Sequence, residues 1–233
     1  MIESKNAAAN TVKAYGQVDV NKYVSIFNRG GVKKVMFFGN SVTRHEPNAS
    51  LGWYGDWGMA ASSKEKDFVH LVVKALDEKY GKVDYCIAQG AAWEWEYPRT
   101  EEVFEEYYSK VREFNADIIV IRIGENITAK KHLEIDSKPH FAKMVDLLVG
   151  DNAEKVIITD MFWYSVYNDY FREVCEDKGH TFVHLTDLQI NALCLGAVLG
   201  IDDGQLQACL FAERIGHHID GCPRGRIGSI RKV

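Results

Sequence analysis

Short apolar runs alternate with amphipathic stretches along most of the chain. β-branched and aromatic residues dominate five of these runs, which predicts five buried β-strands: 34–38, 83–88, 117–123, 155–159 and 181–185. The stretches between them have helical spacing and predict four helices: 66–80, 101–114, 140–148 and 167–178. The first helix is the clearest, because five apolar residues fall on one of its faces and residues 62–65 form a capping box. Those apolar residues are Val69, Val72, Val73, Leu76 and Tyr80.

This alternation of strand and helix predicts a parallel sheet with crossover helices on both faces. We expect an α/β fold, a three-layer sandwich around a five-stranded parallel sheet in the flavodoxin-like order 2-1-3-4-5. Ligands of such sheets bind beyond the carboxyl ends of the strands at the topological switch point, here between strands 1 and 3. We expect residues 1–30 to be a polar leader, with one short helix or strand, packed on a single domain that spans residues 31–233.

Composition narrows the class of protein. With 28 Lys and Arg against 33 Asp and Glu, the net charge of −5 argues against binding to nucleic acid or to an anionic membrane. The 5 cysteines are an odd number without CxxC spacing, which predicts reduced thiols. The longest apolar run is far shorter than a membrane span, and a signal peptide is not evident. A cytoplasmic location is therefore the default, and a secreted or periplasmic one applies if a signal peptide was removed.

Small and polar residues follow the first three predicted strands. Strand 1 runs into Gly39-Asn40-Ser41, strand 2 into Gly90 and strand 3 into Gly124-Glu125-Asn126. A serine on a tight turn can present its hydroxyl to a pocket, and an asparagine amide beside backbone N–H groups can donate to an oxyanion. Taken singly, Gly90 is equally well explained as an ordinary turn and Asn126 as a helix cap.

Together these blocks resemble the SGNH (GDSL-like) hydrolase superfamily, in its bacterial esterase and acetylesterase branch, over about residues 34–185. Gly39-Asn40-Ser41 is similar to the Gly-Asp-Ser block with Asn in place of Asp, and Gly90 to the second block. Gly124-Glu125-Asn126 is similar to Gly-x-Asn-Asp without its last residue. The resemblance implies carboxyl-ester hydrolysis without a cofactor, with Ser41 as nucleophile. The N–H groups of Ser41 and Gly90 and the Asn126 amide would form the oxyanion hole.

The family's base is a late histidine, for which we choose His218, with His217 as second choice. A neutral imidazole with an intrinsic pKa of about 6.5 suits a general base at neutral pH. No aspartate lies three residues before either histidine, Ile219 stands where this branch has proline, and the sequence diverges from about residue 201. A loop pair without a catalytic role is the alternative for these histidines. The triad acid is left unassigned.

The connection 42–62 is long for a link between a strand and a helix, which is typical of a functional loop. It carries Trp53 and Trp57, and Trp93 follows Gly90. We expect these three tryptophans to bind substrate by stacking on sugar faces, and plain packing of the loops is the alternative. Residues 52–62 are also similar to a segment of a bacterial branch associated with polysaccharide deacetylation.

The sequence therefore predicts a serine esterase that hydrolyses a small acyl ester through an acyl-enzyme, preferably an acetyl group on a carbohydrate. Neither a metal nor a cofactor is expected, since His180 and His184 are four apart on or beside a strand, where their side chains do not converge. One alternative is a non-catalytic carbohydrate-binding relative. Another is a flavodoxin-like protein that binds phosphate or flavin beside strand 1.

Overall fold

The apolar runs of the sequence form the central sheet of the protein. A computed structural model describes residues 23–161, 165 and 167–185, and within this part six strands form one sheet. The strands are β1 (Val24–Phe27), β2 (Lys33–Gly39), β3 (Val83–Gln89), β4 (Ile118–Arg122), β5 (Lys155–Thr159) and β6 (Thr181–Val183). Their order across the sheet is β1-β3-β2-β4-β5-β6.

The five predicted strands are present as β2 to β6, and all of their pairings are parallel. Their order, β3-β2-β4-β5-β6, is the predicted 2-1-3-4-5, so this part of the prediction is confirmed. The strand count of five is wrong, because β1 adds an antiparallel edge strand to β3 with Val24 opposite Ala88 and Phe27 opposite Tyr85. Four residues on one sheet edge give too short a pattern to be recognised beforehand.

The described residues also form seven α-helices. They are α1 (Phe68–Tyr80), α2 (Ala91–Glu96), α3 (Thr100–Tyr107), α4 (Ser109–Phe114), α5 (Ala129–Glu134), α6 (Lys138–Leu148) and α7 (Tyr167–Asp177). Helix α1 begins later than predicted, and its cap is Asp67, whose side chain accepts a hydrogen bond from the His70 N–H. The helices α2 and α5 are not predicted from the sequence, because each has only 6 residues.

The predicted helix 101–114 is broken at Tyr108, between α3 and α4. The Tyr108 side chain is fully buried, and its hydroxyl donates to the Gln89 carbonyl oxygen over 2.8 Å. Burial raises the pKa of this phenol well above 10, so it stays a neutral donor. Tyr108, at the break between the two helices, therefore holds the last residue of β3, which directly precedes Gly90.

Two apolar clusters, one on each face of the sheet, form the core. Helix α1 packs Phe68, Val69 and Val72 against one face. The helices α2, α3, α4, α6 and α7 cover the other face. Strands buried on both faces explain why their sequences are continuous apolar runs. Within the described residues, no helix is long and apolar enough to cross a membrane.

Most of the predicted leader and the whole segment 186–233 lie outside the described residues. The described part of the leader, residues 23–30, contains β1, which pairs with β3 as an edge strand. The division into a leader at 1–30 and a domain at 31–233 stays a prediction. His217 and His218 also lie outside the described residues.

Two cysteine thiols provide a test of the core. Cys86 on β3 and Cys175 on α7 are buried free thiols, and burial raises the pKa of each to about 12. We expect neither to react with iodoacetamide in the folded protein at pH 8, and both to react in concentrated urea, as mapped by peptide mass spectrometry. Rapid labelling of Cys86 without urea would contradict the placement of β3 inside the sheet.

Candidate active site

Three strand ends meet at the switch point of the sheet, where β2 lies between β3 and β4. Gly39 ends β2, and a methyl group at this position would lie 2.0 Å from Thr43 Oγ1 and 2.4 Å from the Arg122 carbonyl oxygen. Only glycine allows this close approach. The chain then turns tightly, because the N–H groups of Thr43 and Arg44 both donate to the Asn40 carbonyl oxygen.

Ser41 is the first residue of this turn and is half-buried. Its carbonyl oxygen accepts a hydrogen bond from the Met59 N–H over 2.9 Å, which ties the connection 42–62 to the turn. Among the described residues, none forms a hydrogen bond with Ser41 Oγ or with its N–H. The side chain and the amide are thus available at the position expected of a nucleophile with its own oxyanion donor.

A fully buried carboxylate, Glu94 on α2, joins the residues that follow β2 and β4. Its Oε1 accepts hydrogen bonds from Asn40 Nδ2 over 3.0 Å and from the Gly124 N–H over 2.7 Å. The same oxygen accepts the Asn126 N–H over 3.2 Å, and Oε2 accepts Asn126 Nδ2 over 2.5 Å. Four donors therefore converge on one side chain, three of them on Oε1 and one on Oε2.

Sequence reasoning missed Glu94, although a signal was present. Glu94 lies between Trp93 and Trp95 in the segment Ala-Ala-Trp-Glu-Trp, where a charged residue is surrounded by apolar ones. A charged residue at a buried position has to be paired or hydrogen-bonded. The segment was too short to be recognised as a helix, so the burial of Glu94 could not be deduced.

Burial, and after it the negative charge of Glu125, raises the pKa of Glu94, which is about 7. The hydrogen bonds from Asn126 and Asn40 act in the opposite direction and lower it. Glu125 itself forms a 2.5 Å ion pair with the buried Arg122 at the end of β4. Glu94 therefore changes its charge in the neutral pH range.

The contacts of Asn40 explain why asparagine stands where a Gly-Asp-Ser block has aspartate. Its side-chain nitrogen donates both to Glu94 and, over 2.6 Å, to Glu125 Oε2. Its Oδ1 accepts the Val42 N–H over 3.2 Å, so every polar atom of the buried side chain is used. An aspartate here would place a third carboxylate against two others and supply no donor. Asparagine is the residue that fits the neighbouring carboxylates.

Gly90 lies at the switch point, but its N–H is already used in a hydrogen bond within the fold. It donates to the Gly39 carbonyl oxygen over 2.6 Å. A methyl group at position 90 would lie 2.4 Å from Ile123 Cδ1 and 2.8 Å from Phe38 Cε1. Gly90 thus allows the end of β3 to pack against its neighbours, and its N–H is engaged in a way that differs from the predicted oxyanion contact.

Asn126 is half-buried beside these residues. Its side-chain nitrogen uses one hydrogen for Glu94, and an NH₂ group carries two. The second N–H is left for another acceptor. The structure therefore brings Ser41, Gly90 and Asn126 to one edge of the sheet and links Asn126 to the serine turn through Glu94.

The connection 42–62 folds back on itself beside the serine turn. Backbone bridges pair His45 with Trp57 and Asn48 with Trp53. The two indole rings are half-buried and lie edge to face, with centroids 5.4 Å apart. Each indole N–H donates to the loop itself, Trp53 to the His45 carbonyl and Trp57 to the Ala61 carbonyl. The loop is held in shape, and both tryptophan residues stay partly exposed.

The prediction that Trp93 binds substrate is wrong. The Trp93 side chain is 0 % exposed, its Nε1 donates to Thr100 Oγ1 over 3.0 Å, and its ring packs against Tyr97 and Phe141. A ring closed in on all sides belongs to the core and cannot stack on a ligand. Position 93 lies in the first turn of α2, whose apolar side faces the sheet.

A histidine also lies beside a buried aspartate at the carboxyl ends of β5 and β6, away from Ser41. His184, which follows β6, has its Nδ1 3.3 Å from Oδ2 of Asp160, which follows β5. Neighbouring strands are about 4.8 Å apart, so the three steps from β2 to β6 separate His184 from Ser41 by about 14 Å. This pair is too distant to serve Ser41. In the described part of the chain, no cluster of three or more His, Cys, Asp or Glu could hold a metal ion.

Comparisons with known proteins give information on the fold. No protein-family model matches the sequence, and no curated protein matches it significantly. Solved structures similar to this one include a protein of Parabacteroides merdae ATCC 43184 provisionally named a GDSL-like lipase, at 15% identity over 79% of this chain and 95% of that chain, with a TM-score of 0.47. They also include LAE5, an α/β hydrolase enzyme from the metagenome of Lake Arreo, Spain, at 17% identity over 80% of this chain and 96% of that chain, with a TM-score of 0.50.

The likeness to LAE5 establishes a shared fold over four-fifths of this chain. The predicted α/β class agrees with it, since LAE5 is described as an α/β hydrolase. The α/β fold that the resemblance to SGNH (GDSL-like) hydrolases implies is thus shared with a solved hydrolase structure.

Proposed function

We propose that this protein is a serine esterase of the SGNH type that hydrolyses a small acyl ester, with an acetyl group on a carbohydrate as the preferred substrate. The observation that supports this most is the meeting of Ser41 and Asn126 at the switch point of the sheet. One supplies a hydroxyl and an N–H without partners among the described residues, and the other supplies a spare amide N–H. A nucleophile beside two donors is what acyl transfer requires.

The reaction proceeds in two steps with Ser41 and His218. Ser41 Oγ attacks the ester carbonyl carbon while His218 takes its proton, and the bond to the alcohol oxygen then breaks as His218 returns the proton to that oxygen. Water attacks the acyl-enzyme in the same way, with His218 again moving the proton. The products are the free acid, the free alcohol and the regenerated Ser41. His217 is the second candidate for the base.

Two donors are assigned to the oxyanion in this proposal, the Ser41 N–H and the Asn126 amide. The family resemblance also implies that the Gly90 N–H is an oxyanion donor, but this N–H already donates to the Gly39 carbonyl oxygen. We therefore assign Gly90 to the close packing of the strand ends, where any side chain would displace Ile123 and Phe38.

The substrate surface in this proposal is the folded loop beside Ser41. Trp53 and Trp57 are partly exposed there, and Tyr54 between them is 77 % exposed. Aromatic rings offer flat apolar faces to the C–H faces of sugars. This loop is joined to the serine turn by the hydrogen bond from Met59 to Ser41, so a sugar bound on the loop would hold its acyl groups near the nucleophile.

A second candidate function is a non-catalytic carbohydrate-binding protein. The engaged N–H of Gly90 favours it, because one of the three donors implied by the family resemblance is used inside the fold. Only the esterase needs Ser41 Oγ to react, whereas the binding protein does not. A comparison of the wild type with a Ser41 variant therefore separates them.

Substitution of the nucleophile or of the base should remove the esterase activity. We expect Ser41→Ala and His218→Ala each to lower kcat for p-nitrophenyl acetate by about 10³-fold or more, as for other nucleophile and base pairs. Ser109→Ala, an exposed serine on α4, is the matched control and should keep wild-type activity. A loss in His217→Ala with activity retained in His218→Ala would move the base to His217. A wild type no faster than Ser41→Ala favours the binding protein.

Two tryptophan variants separate substrate contact from core packing. We expect Trp53→Ala to raise KM for an O-acetylated oligosaccharide about tenfold, the loss of one aromatic contact, with little change in KM for p-nitrophenyl acetate. Trp93→Phe should leave both KM values unchanged and lower the free energy of unfolding by about 1–3 kcal/mol, because it removes buried volume and the hydrogen bond to Thr100. Equal KM values for wild type and Trp53→Ala on the oligosaccharide would contradict the stacking surface.

A further inference from the structure

We propose that Glu94 is a positioning residue of the active site, whose carboxylate aims the Asn126 amide at the reacting ester and whose uptake of a proton releases that amide. This inference rests on the proposed esterase function. The Glu94 side chain is fully buried and does not contact substrate, so it acts through Asn126 and through the serine turn.

The hydrogen bonds of Glu94 determine which way the Asn126 amide faces. Asn126 donates twice to this carboxylate, with its backbone N–H to Oε1 and with Nδ2 to Oε2. A carboxylate only accepts hydrogen bonds, so the amide has to present its nitrogen rather than its oxygen to Glu94. The remaining N–H of the same nitrogen is thereby available as an oxyanion donor.

The same carboxylate also holds the turn of the nucleophile. Asn40 Nδ2 donates to Glu94 Oε1, and Asn40 is the residue directly before Ser41. The Gly124 N–H donates to this oxygen as well, over 2.7 Å. Because one rigid group receives donors from both strand ends, it fixes the distance between nucleophile and oxyanion donor, on which acyl transfer depends.

Protonation of Glu94 would break this arrangement at one place. Oε1 accepts three hydrogen bonds and Oε2 accepts one, from Asn126 Nδ2, so Oε2 keeps a free lone pair and is the oxygen that takes up a proton. A neutral carboxyl oxygen is a weaker acceptor than a carboxylate oxygen, so the hydrogen bond from Asn126 Nδ2 weakens. The amide is then no longer held in one orientation, and the oxyanion hole loses a fixed side-chain donor.

The charges around Glu94 place this change near neutral pH. Burial and then the charge of Glu125 raise the pKa of Glu94 to about 7, and Glu125 is itself paired with Arg122. The fourth ionisable group nearby, Tyr108, stays neutral because burial raises the pKa of its phenol well above 10. The ionised, position-holding form therefore prevails above about pH 7, and activity should fall as the pH falls below it.

The isosteric variant Glu94→Gln tests the positioning role by kinetics. Glutamine turns one acceptor into an NH₂ donor, which faces Asn126 Nδ2 unless the Asn126 amide flips. We expect kcat for p-nitrophenyl acetate to fall about 10²-fold, as on loss of one oxyanion donor, with KM changed less than twofold. Glu96→Gln, on the same helix with its carboxylate paired to Arg99 at the surface, is the matched control and should behave as wild type.

The side-chain amide signals of Asn126 in ¹⁵N–¹H spectra test the same role without any activity. In the wild type they should shift with pH around a midpoint near 7, and they should not titrate in Glu94→Gln. The titration should persist in His218→Ala, which separates it from that of the base. Absence of this titration in the wild type overturns the inference, and the measurement does not depend on whether Glu94→Gln folds.

The outcomes separate this inference from the proposed function. If Ser41→Ala is inactive while Glu94→Gln keeps full kcat and the Asn126 titration, the esterase stands and the positioning role of Glu94 is overturned. If the wild type itself shows no Ser41-dependent activity, the esterase proposal fails, and so does a role in positioning for catalysis. Loss of both kcat and the titration in Glu94→Gln, with neither lost in Glu96→Gln, supports the inference.

Discussion

The buried carboxylate of Glu94 is the constraint on which the arrangement of the site depends. A rise of its pKa from the ordinary 4.5 to about 7 means that the ionised side chain costs the folded protein about 3 kcal/mol above pH 7. The unfolded chain ionises near 4.5 and the folded chain near 7, so this cost develops as the pH rises between these values. Four hydrogen-bond donors keep it from being larger. The groups that contact the Glu94 carboxylate oxygens directly are therefore donors.

Glycines at the strand ends make this convergence possible. Gly39 and Gly90 lie where a methyl group would come within 2.4 Å of neighbouring atoms. Gly124 has a φ of 133°, which side chains rarely adopt, and its N–H donates to Glu94. With larger residues the ends of β2, β3 and β4 would move apart, and a helix between them could not bring one carboxylate to both sides of the switch point.

The sequence was sufficient to predict the five parallel strands, their order and the residues that meet at the switch point, because long buried strands leave continuous apolar runs. It was insufficient for β1, whose four residues on an edge leave no such run. It was also insufficient for Trp93 and Glu94. Both lie in the 6-residue helix α2, where no full period of the pattern shows that one residue faces the core and that the other accepts donors from distant strands.

The same Glu94 carboxylate explains why the residue before Ser41 is an asparagine. Glu94 and Glu125 both accept from Asn40 Nδ2, so an aspartate at this position would add a third negative charge where a donor is required. Asn40 and Glu94 are therefore complementary, one supplying hydrogens and the other accepting them. It follows that the departure from Gly-Asp-Ser preserves the turn that presents Ser41, since Asn40 Oδ1 still accepts the Val42 N–H and its carbonyl still closes the turn.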